Sequence, residues 1–485
     1  MSDTRFAFLL ALVLVLPATR ASATTPVPAV TGPIPGAGFV ASTSIDLAAL
    51  GYAEEEYFVA GTATGFTSPS PLGSDGAWSA TPGNTAPYRT RILVRRPADA
   101  KRFNGTVVVE WLNVSGGLDA APDWIFAHTL LMREGFAWVG VSAQFTGIEG
   151  GASPIGLNLS LKAINPARYG TLSHPGDSFS YDMFSQVGAA LRDTTGVRPL
   201  ATLSPRRVIA VGESQSAFRL VTYVNAIHPL AKVYDGFLIH SRSGGAAALS
   251  QSPEPAVPGP TPAFIRTDLD VPVLTFETET DLVALGFQPA RQADTRRVRL
   301  WEVAGTAHGD TYQLAEGMTD PGPAARDTTY LPPNASPIPG IITCASPVNA
   351  GPHHYVLSAA IRALDRWVRS GRPPRTAPRL VMSDSATPAF VLDARGNVRG
   401  GIRTPQLDVP VATLSGLGQA GGGFCGLFGT TLPFDAATLE SLYPTHTAYV
   451  AAVTRALRKA VQRGWILRTD AKAIKASAIA SGVGT

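Results

Sequence analysis

The stretch Arg207-Val-Ile-Ala-Val-Gly-Glu-Ser-Gln-Ser-Ala-Phe218 constrains the chain more than any other. Val208 to Val211 is a short apolar, β-branched run, too short for a helix and suited to a buried strand. Gly212 ends it. Beyond Ser216 the apolar residues Ala217, Phe218, Leu220, Val221 and Val224 fall at helical spacing. Ser214 therefore sits where a strand turns sharply into a helix. Such a turn lifts a hydroxyl above the sheet and leaves the next N–H, that of Gln215, at a helix N-terminus. Close approach of strand and helix calls for small flanking residues, here Gly212 and Ser216. The usual pattern is G-x-S-x-G, from which Ser216 departs. The plain alternative is a strand-loop-helix turn in which the serine merely caps the helix.

A chain of 485 residues exceeds one typical domain, so one large core with an appendage, or two domains, is expected. The formal net charge is only +4 and no basic block occurs, which argues against nucleic-acid and membrane-surface roles. The N-terminus reads as an export signal: Arg5, then the apolar run Phe6 to Leu16, then Ala21-Ser-Ala23 as a small-x-small cleavage pattern. Cleavage is expected after Ala23, giving a periplasmic or secreted protein; an uncleaved anchor is the alternative. The apolar run is too short to span a bilayer, and no later stretch is long and apolar enough. Cys344 and Cys425 are the only cysteines, and an exported chain with two favours one disulfide. On the loop-entropy model that bridge contributes roughly 3–5 kcal/mol.

Along the chain, residues 24 to about 50 form a loose lead-in. Tyr57 to Phe66 and Tyr88 to Val94 alternate as strands, with Pro82, Gly83 and Asn84 as the break between them. Thr106 to Leu112 is a strand ending in the small-residue loop Asn113 to Gly117. Asp123 to Glu134 is a helix, Phe136 to Val141 a strand, Gln144 to Gly170 loop-rich, and Tyr181 to Leu191 helical. After the elbow strand and its helix to about Ala226 come strands Tyr234 to Ile239, Val271 to Phe276 and Arg297 to Val303. Strands alternating with helices indicate an α/β fold with a mostly parallel sheet. Residues 241–270 and 321–352 interrupt it as long, lid-like insertions. His354 to Arg369 is an amphipathic helix. Past Gly371-Arg-Pro-Pro374 the composition shifts: Phe390 to Leu414 suggests short strands, and Ala436 to Gly464 is mostly helical. The division is thus a signal peptide (1–23), a core (24–374) and a C-terminal extension packed on it (375–485).

A nucleophilic serine needs a base to take its proton and a third group to hold that base. Downstream, Val271-Pro-Val-Leu-Thr-Phe-Glu-Thr-Glu-Thr-Asp281 is a strand ending in an acidic loop, and Trp301-Glu-Val-Ala-Gly-Thr-Ala-His-Gly-Asp310 is a strand ending in a loop with His308. Of the eight histidines, only His308 directly follows the last core strand. The acid is Asp281, with Glu279 as the alternative in the same turn. Glu277 is assigned to a structural face and Glu302 to a solvent-facing one. Two N–H donors must receive a developing oxyanion. Gln215 supplies one, and Val114, in the loop shaped by Asn113, supplies the other. No histidine, cysteine and acid cluster has metal spacing and no phosphate loop is present, so neither metal nor cofactor is expected. Gly416-Leu-Gly-Gln-Ala-Gly421 matches G-x-G-x-x-G by letters but runs into Gly422 and Gly423 without opening a helix, and is read as a loop.

These residues lie among longer segments that resemble a family. They are Val109-Glu-Trp-Leu-Asn-Val-Ser-Gly-Gly117, Arg168-Tyr-Gly170 with His174-Pro-Gly-Asp177, Tyr181-Asp182, Gly212-Glu-Ser-Gln-Ser216, Glu279-Thr-Asp281, Gly400-Gly-Ile-Arg-Thr-Pro405 with Asp408-Val-Pro410, and Phe424-Cys425 with Leu427-Phe-Gly429. The chain resembles a group of exported bacterial α/β-hydrolase-domain proteins, and the resemblance spans nearly the whole mature chain. It implies the α/β-hydrolase fold, with the extension as part of the architecture. The elbow also resembles the Gly-Glu-Ser of carboxylesterases, which implies a structural Glu213. The resulting expectation is an exported serine hydrolase that cleaves a small-molecule carboxylic ester through Ser214, His308 and Asp281. Acyl transfer or amide cleavage by the same triad is the nearest alternative; a catalytically silent binding protein of this fold is the more distant one.

Overall fold

The computed structural model describes residues 25–151, 156, 158–384 and 389–485. The expected signal peptide lies outside these residues. Among the described residues, nine strands form the main sheet: β1 (Ala29–Thr31), β2 (Tyr52–Thr67), β3 (Thr81–Pro97), β4 (Thr106–Trp111), β5 (Ala137–Val141), β6 (Arg207–Glu213), β7 (Gly236–His240), β8 (Val273–Glu277) and β9 (Val298–Glu302). Their spatial order is β1-β2-β3-β5-β4-β6-β7-β8-β9. β1, β2, β3 and β5 pair antiparallel, and from β5 to β9 every neighbour is parallel.

The central strands read as continuous apolar runs because both of their faces are buried. Successive side chains alternate between faces. Val107, Val109, Val208, Ala210, Phe237 and Ile239 pack on one side with Phe184 and Leu220. Val108, Ile209, Val211, Leu238 and Phe276 pack on the other with Trp124 and Trp367. The first side carries helices α2 (Ser180–Ala190) and α3 (Gln215–Thr222); the second carries α1 (Pro122–Arg133) and α5 (His353–Ser370), while α4 (Glu279–Val283) follows β8. The apolar cluster around α1 and α5 continues into Tyr443, Tyr449, Val453, Leu457 and Trp465. These belong to or flank α7 (His446–Arg463), which follows α6 (Ala436–Leu442) and precedes α8 (Arg468–Ala480).

Several expectations need correction. Pro82, Gly83 and Asn84 do not break the chain; they lie inside β3, which pairs with β2 along a hairpin far longer than the alternation suggested. Among the described residues of 144–170 are three short helices, Phe145–Glu149, Leu161–Ile164 and Pro166–Tyr169. Glu302 is not solvent-facing. It is fully buried, forms an ion pair with Arg291 at 2.6 Å and accepts the Leu380 N–H at 2.8 Å. A strand at a sheet edge looks half-exposed by pattern, but here Arg291 and the chain at Leu380 cover that edge. Among the described residues after 374, only Ala412–Ser415 (β10) and Thr430–Pro433 (β11) form a ladder; the rest of 390–414 makes isolated bridges.

Of the two long insertions, 241–270 packs on the elbow helix: Ala247 N–H donates to the Phe218 carbonyl at 3.2 Å, and Thr222 Oγ1 donates to the Ala247 carbonyl at 2.6 Å. The segment 321–352 carries Cys344, whose disulfide to Cys425 has a Cα–Cα separation of 5.5 Å.

Candidate active site

Ser214 follows β6 directly and has φ 58° and ψ −118°, a conformation costing about 1–3 kcal/mol in a non-glycine residue. Its N–H donates to the His240 carbonyl at 2.9 Å, and its own carbonyl accepts from Phe218 N–H at 3.0 Å. A Cβ added at Gly212 would stand 3.0 Å from Leu220 Cδ1 and 3.2 Å from the Ser216 carbonyl carbon, so a side chain here would press on α3. Ser216 fits where glycine is usual because its hydroxyl turns back to donate to the Glu213 carbonyl at 2.8 Å.

Asp281 lies in the first turn of α4 rather than in an irregular loop. Thr278 caps this helix, and Asp281 returns the capping interaction. Its Oδ2 accepts from the Thr278 N–H at 2.6 Å and the Thr278 hydroxyl at 2.7 Å. Its Oδ1 is thereby aimed at His308 Nδ1, 2.7 Å away. Burial acts to raise the Asp281 pKa, but His308 and the Thr278 donors outweigh it and hold the carboxyl below its usual range. In the neutral ring the carboxylate places the proton on His308 Nδ1 and leaves Nε2 facing the elbow.

Glu279 is turned away from the histidine. Its Oε1 accepts from Gly305 N–H at 2.5 Å and its Oε2 from Gly416 N–H at 2.8 Å. It therefore ties the start of the His308 loop to the chain at Gly416. Glu277 is buried, as a structural residue would be.

No hydrogen bond joins Ser214 to His308 among the described residues. Instead His308 Nε2 lies 3.2 Å from Glu213 Oε1. Glu213 is thus not simply a packing residue. Its Oε2 and its carbonyl each accept from Asn113 Nδ2 at 3.1 Å, which clamps the elbow to the loop after β4. Burial first, partly offset by His308, pushes the Glu213 carboxyl up to about 8. Burial would lower the His308 pKa, but Glu213 and then Asp281 push it up to about 9. Sequence spacing carries no sign of this contact, since Glu213 and His308 meet only through the sheet order.

Gln215 opens α3, where the first N–H groups have no partner within the helix. Its side chain exchanges hydrogen bonds with that of Gln144: Gln144 Nε2 donates to Gln215 Oε1 at 2.9 Å, and the reverse contact is also made. Gln144 Nε2 also reaches the Leu112 carbonyl at 3.4 Å. In the Asn113 loop, Asn113 and Ala120 exchange backbone bonds, and Ser115 N–H donates to Asn113 Oδ1 at 2.8 Å. Val114 N–H makes no hydrogen bond among the described residues. Gln144 gives no signal in the sequence because its loop has no motif. Asp177, which ends the His174-Pro-Gly-Asp177 segment, accepts from Phe145 N–H at 2.8 Å and pairs with Arg219 at 2.7 Å, fixing α3 from its flank.

With this geometry in view, residues 23–476 match the family described as Alpha/beta hydrolase domain, and the chain belongs to that family. Curated proteins yield no match. Among solved structures, a candidate dienelactone hydrolase from Klebsiella pneumoniae is similar at 14% identity and TM-score 0.26, over 50% of this chain and 85% of its own. A fungal esterase from Rhizomucor miehei is similar at 13% identity and TM-score 0.27, over 52% and 77%. A glucuronoyl esterase from Solibacter usitatus is similar at 13% identity and TM-score 0.23, over 41% of this chain and 50% of that one.

Proposed function

We propose that this α/β hydrolase is a serine hydrolase that cleaves carboxylic esters, with Ser214 as nucleophile, His308 as base and Asp281 as the acid that holds it. The single observation carrying this reading is the convergence of a strained serine elbow with a buried Asp281–His308 pair at 2.7 Å, joined through Glu213 at the elbow itself. In the reaction, His308 Nε2 turns from Glu213 to the serine hydroxyl and takes its proton as Oγ attacks the ester carbonyl. The N–H groups of Gln215 and Val114 receive the oxyanion, each worth about 10²–10³ in rate by analogy with other oxyanion holes. The carbon–alkoxy bond breaks, and His308 gives its proton to the departing alcohol. Water, deprotonated by the same nitrogen, then attacks the acyl-enzyme and releases the acid and Ser214.

The same reading takes residues 24–374 as the hydrolase core and 375–485 as an extension that supports the His308 loop, through Gly416 and through the Leu427 carbonyl that accepts Gly309 N–H at 3.2 Å. It also takes the protein as exported, which suits the Cys344–Cys425 disulfide, since such bridges persist in oxidising compartments. No helix among the described residues is long and apolar enough to cross a membrane.

The test is labelling with a fluorophosphonate, followed by peptide mass spectrometry. The adduct is expected on Ser214 and absent from Ser214→Ala, with loss of ester turnover in that variant. An adduct on Ser115 or Ser216, or none, would overturn the assignment. A panel of esters of graded acyl length, with and without added alcohol, then separates hydrolysis from acyl transfer.

A further inference from the structure

A second string of buried polar side chains runs behind the site and is not used by the chemistry above. His353, the first residue of α5, has Nδ1 3.0 Å from the Ala307 carbonyl. Its Nε2 lies 2.6 Å from Nε2 of His240, at the end of β7. His240 Nδ1 in turn lies 2.9 Å from Oδ1 of Asp123, in the first turn of α1. All three side chains are buried.

The partners determine where the protons sit. A carbonyl can only accept, so His353 Nδ1 carries a proton. Burial lowers the pKa of His353, and of His240 to about 3, so both rings are neutral near pH 7. His353 Nε2 must then accept, and His240 Nε2 must donate to it. That leaves His240 Nδ1 as an acceptor, which requires a proton on Asp123, whose carboxyl burial pushes up to about 8. The string therefore runs in one direction, from Asp123 through His240 and His353 to Ala307. Its effect is to fix the donor tautomer of His353.

Ala307 immediately precedes His308. The other polar end of the same peptide, His308 N–H, donates to Thr280 Oγ1 at 3.2 Å. Thr280 is itself anchored, donating to the Gly416 carbonyl at 2.6 Å. A peptide unit is a rigid plane, so two side-chain bonds at its opposite ends define its orientation and hence the direction in which His308 Cα presents its ring.

We infer that His353, held as a donor by His240 and Asp123, is a positioning residue that orients His308 through the Ala307–His308 peptide. The inference rests on the assignment of His308 as base. The His353 ring also packs against Phe126, at a centroid distance of 4.1 Å, and Phe276, at 5.2 Å, so a pure packing role is the competing explanation.

Three variants separate the two. His353→Asn keeps a donor near Nδ1 and loses the link to His240. His353→Gln keeps a polar group near Nε2 and loses the donor to Ala307. His353→Phe keeps the aromatic stack and loses both. The readouts are the rate of fluorophosphonate labelling of Ser214 across pH and the melting temperature. The groups facing His308 in the pH profile are Asp281 and Glu213 directly, with Asp123 and His240 behind Glu213. Labelling is expected to fall at least about tenfold in the Gln and Phe variants, as misplacement of a reacting group does. Their acid limb should move to lower pH as the Asp281 contact loosens. The Asn variant should retain most of the rate and the original limb. If the Phe variant labels as fast as the Asn variant, with an unshifted limb, the inference is wrong and packing is the role. Should the Phe variant fail to fold, Asn against Gln decides: equal rates overturn the inference. If wild type itself does not label at Ser214, it is the proposed function that fails, and the two failures are distinct.

Discussion

The backbone at Ser214 is held largely by its own neighbours in sequence: the Ser216 hydroxyl on the Glu213 carbonyl, Phe218 N–H on Ser214, and pairing with the adjacent strand β7. The loop carrying His308 is held by side chains and loops from remote parts of the chain. Glu279 takes Gly305 N–H, Asn349 Nδ2 donates to the Gly305 carbonyl at 3.2 Å, Thr280 takes His308 N–H, His353 takes the Ala307 carbonyl, and Leu427 takes Gly309 N–H. The elbow is a strained turn held mainly by local bonds, with Asn113 as a distant clamp; His308 has no positive φ, and its loop depends on distant contacts. A nucleophile needs one sharp turn, which adjacent residues can build. A base must face the nucleophile on one nitrogen and the acid on the other, and that alignment spans separate strands.

The largest effect that sharpens this contrast comes from the acid. Asp281→Asn should lower kcat by up to about 10⁴-fold, because the amide favours the wrong histidine tautomer. Glu279→Gln should lose far less activity but should lower the melting temperature. A glutamine can accept one of the two backbone N–H groups, while its NH₂ opposes the other, and an unpaired buried donor costs about 1–3 kcal/mol. Ester turnover and thermal melts on both variants check this. A near-wild-type Asp281→Asn beside a folded but inactive Glu279→Gln would transfer the acid role to Glu279.

A smaller effect concerns the junction of the two regions, where Glu213 of the elbow meets His308. An anionic Glu213 favours the imidazolium, whereas the base must be neutral. The rate in wild type should therefore rise as pH climbs through a His308 titration that Glu213 and Asp281 push up to about 9 against the effect of burial. Glu213→Gln removes the largest opposing influence and should move that limb to lower pH by about one unit. The measurement is kcat/KM against pH; an unmoved or upward-shifted limb would break the link between elbow and loop.

The smallest effect on activity is expected from the disulfide. Cys344→Ser with Cys425→Ser should cost about 3–5 kcal/mol of stability on the loop-entropy model. Because Leu427, two residues from Cys425, supports Gly309, activity should also fall, by less than in Glu279→Gln. Calorimetry and turnover below the melting temperature test this, and an unchanged melting temperature would show that the bridge does not restrain the extension.

Much of the molecule is legible in the amino-acid sequence alone. The strand-turn-helix at Ser214 can be read because a switch from strand to helical spacing at a flanking glycine is a local signal. The order of elements follows from position relative to strand ends, and the same positions make His308 and Asp281 the leading candidates. The same locality explains the misreadings. Pro82 to Asn84 has turn composition, yet it lies inside β3, where it makes only an irregularity in the pairing with β2. Glu302 alternates like a solvent-facing residue, yet Arg291 and the chain at Leu380 cover it. The sequence by itself determined which residues are candidates for chemistry and, for Ser214 and His308, the strand each follows, because propensity, periodicity and turn composition act over a few residues; that Asp281 sits in a helical turn was not among these. Only the tertiary structure decided that Glu213 touches His308, that Glu279 braces the loop and that Asp123, His240 and His353 line up behind it. Those contacts join positions 26 to 137 residues apart, and hydrogen-bond geometry across such separations depends on sheet order and on burial that leaves a polar group no partner but another residue.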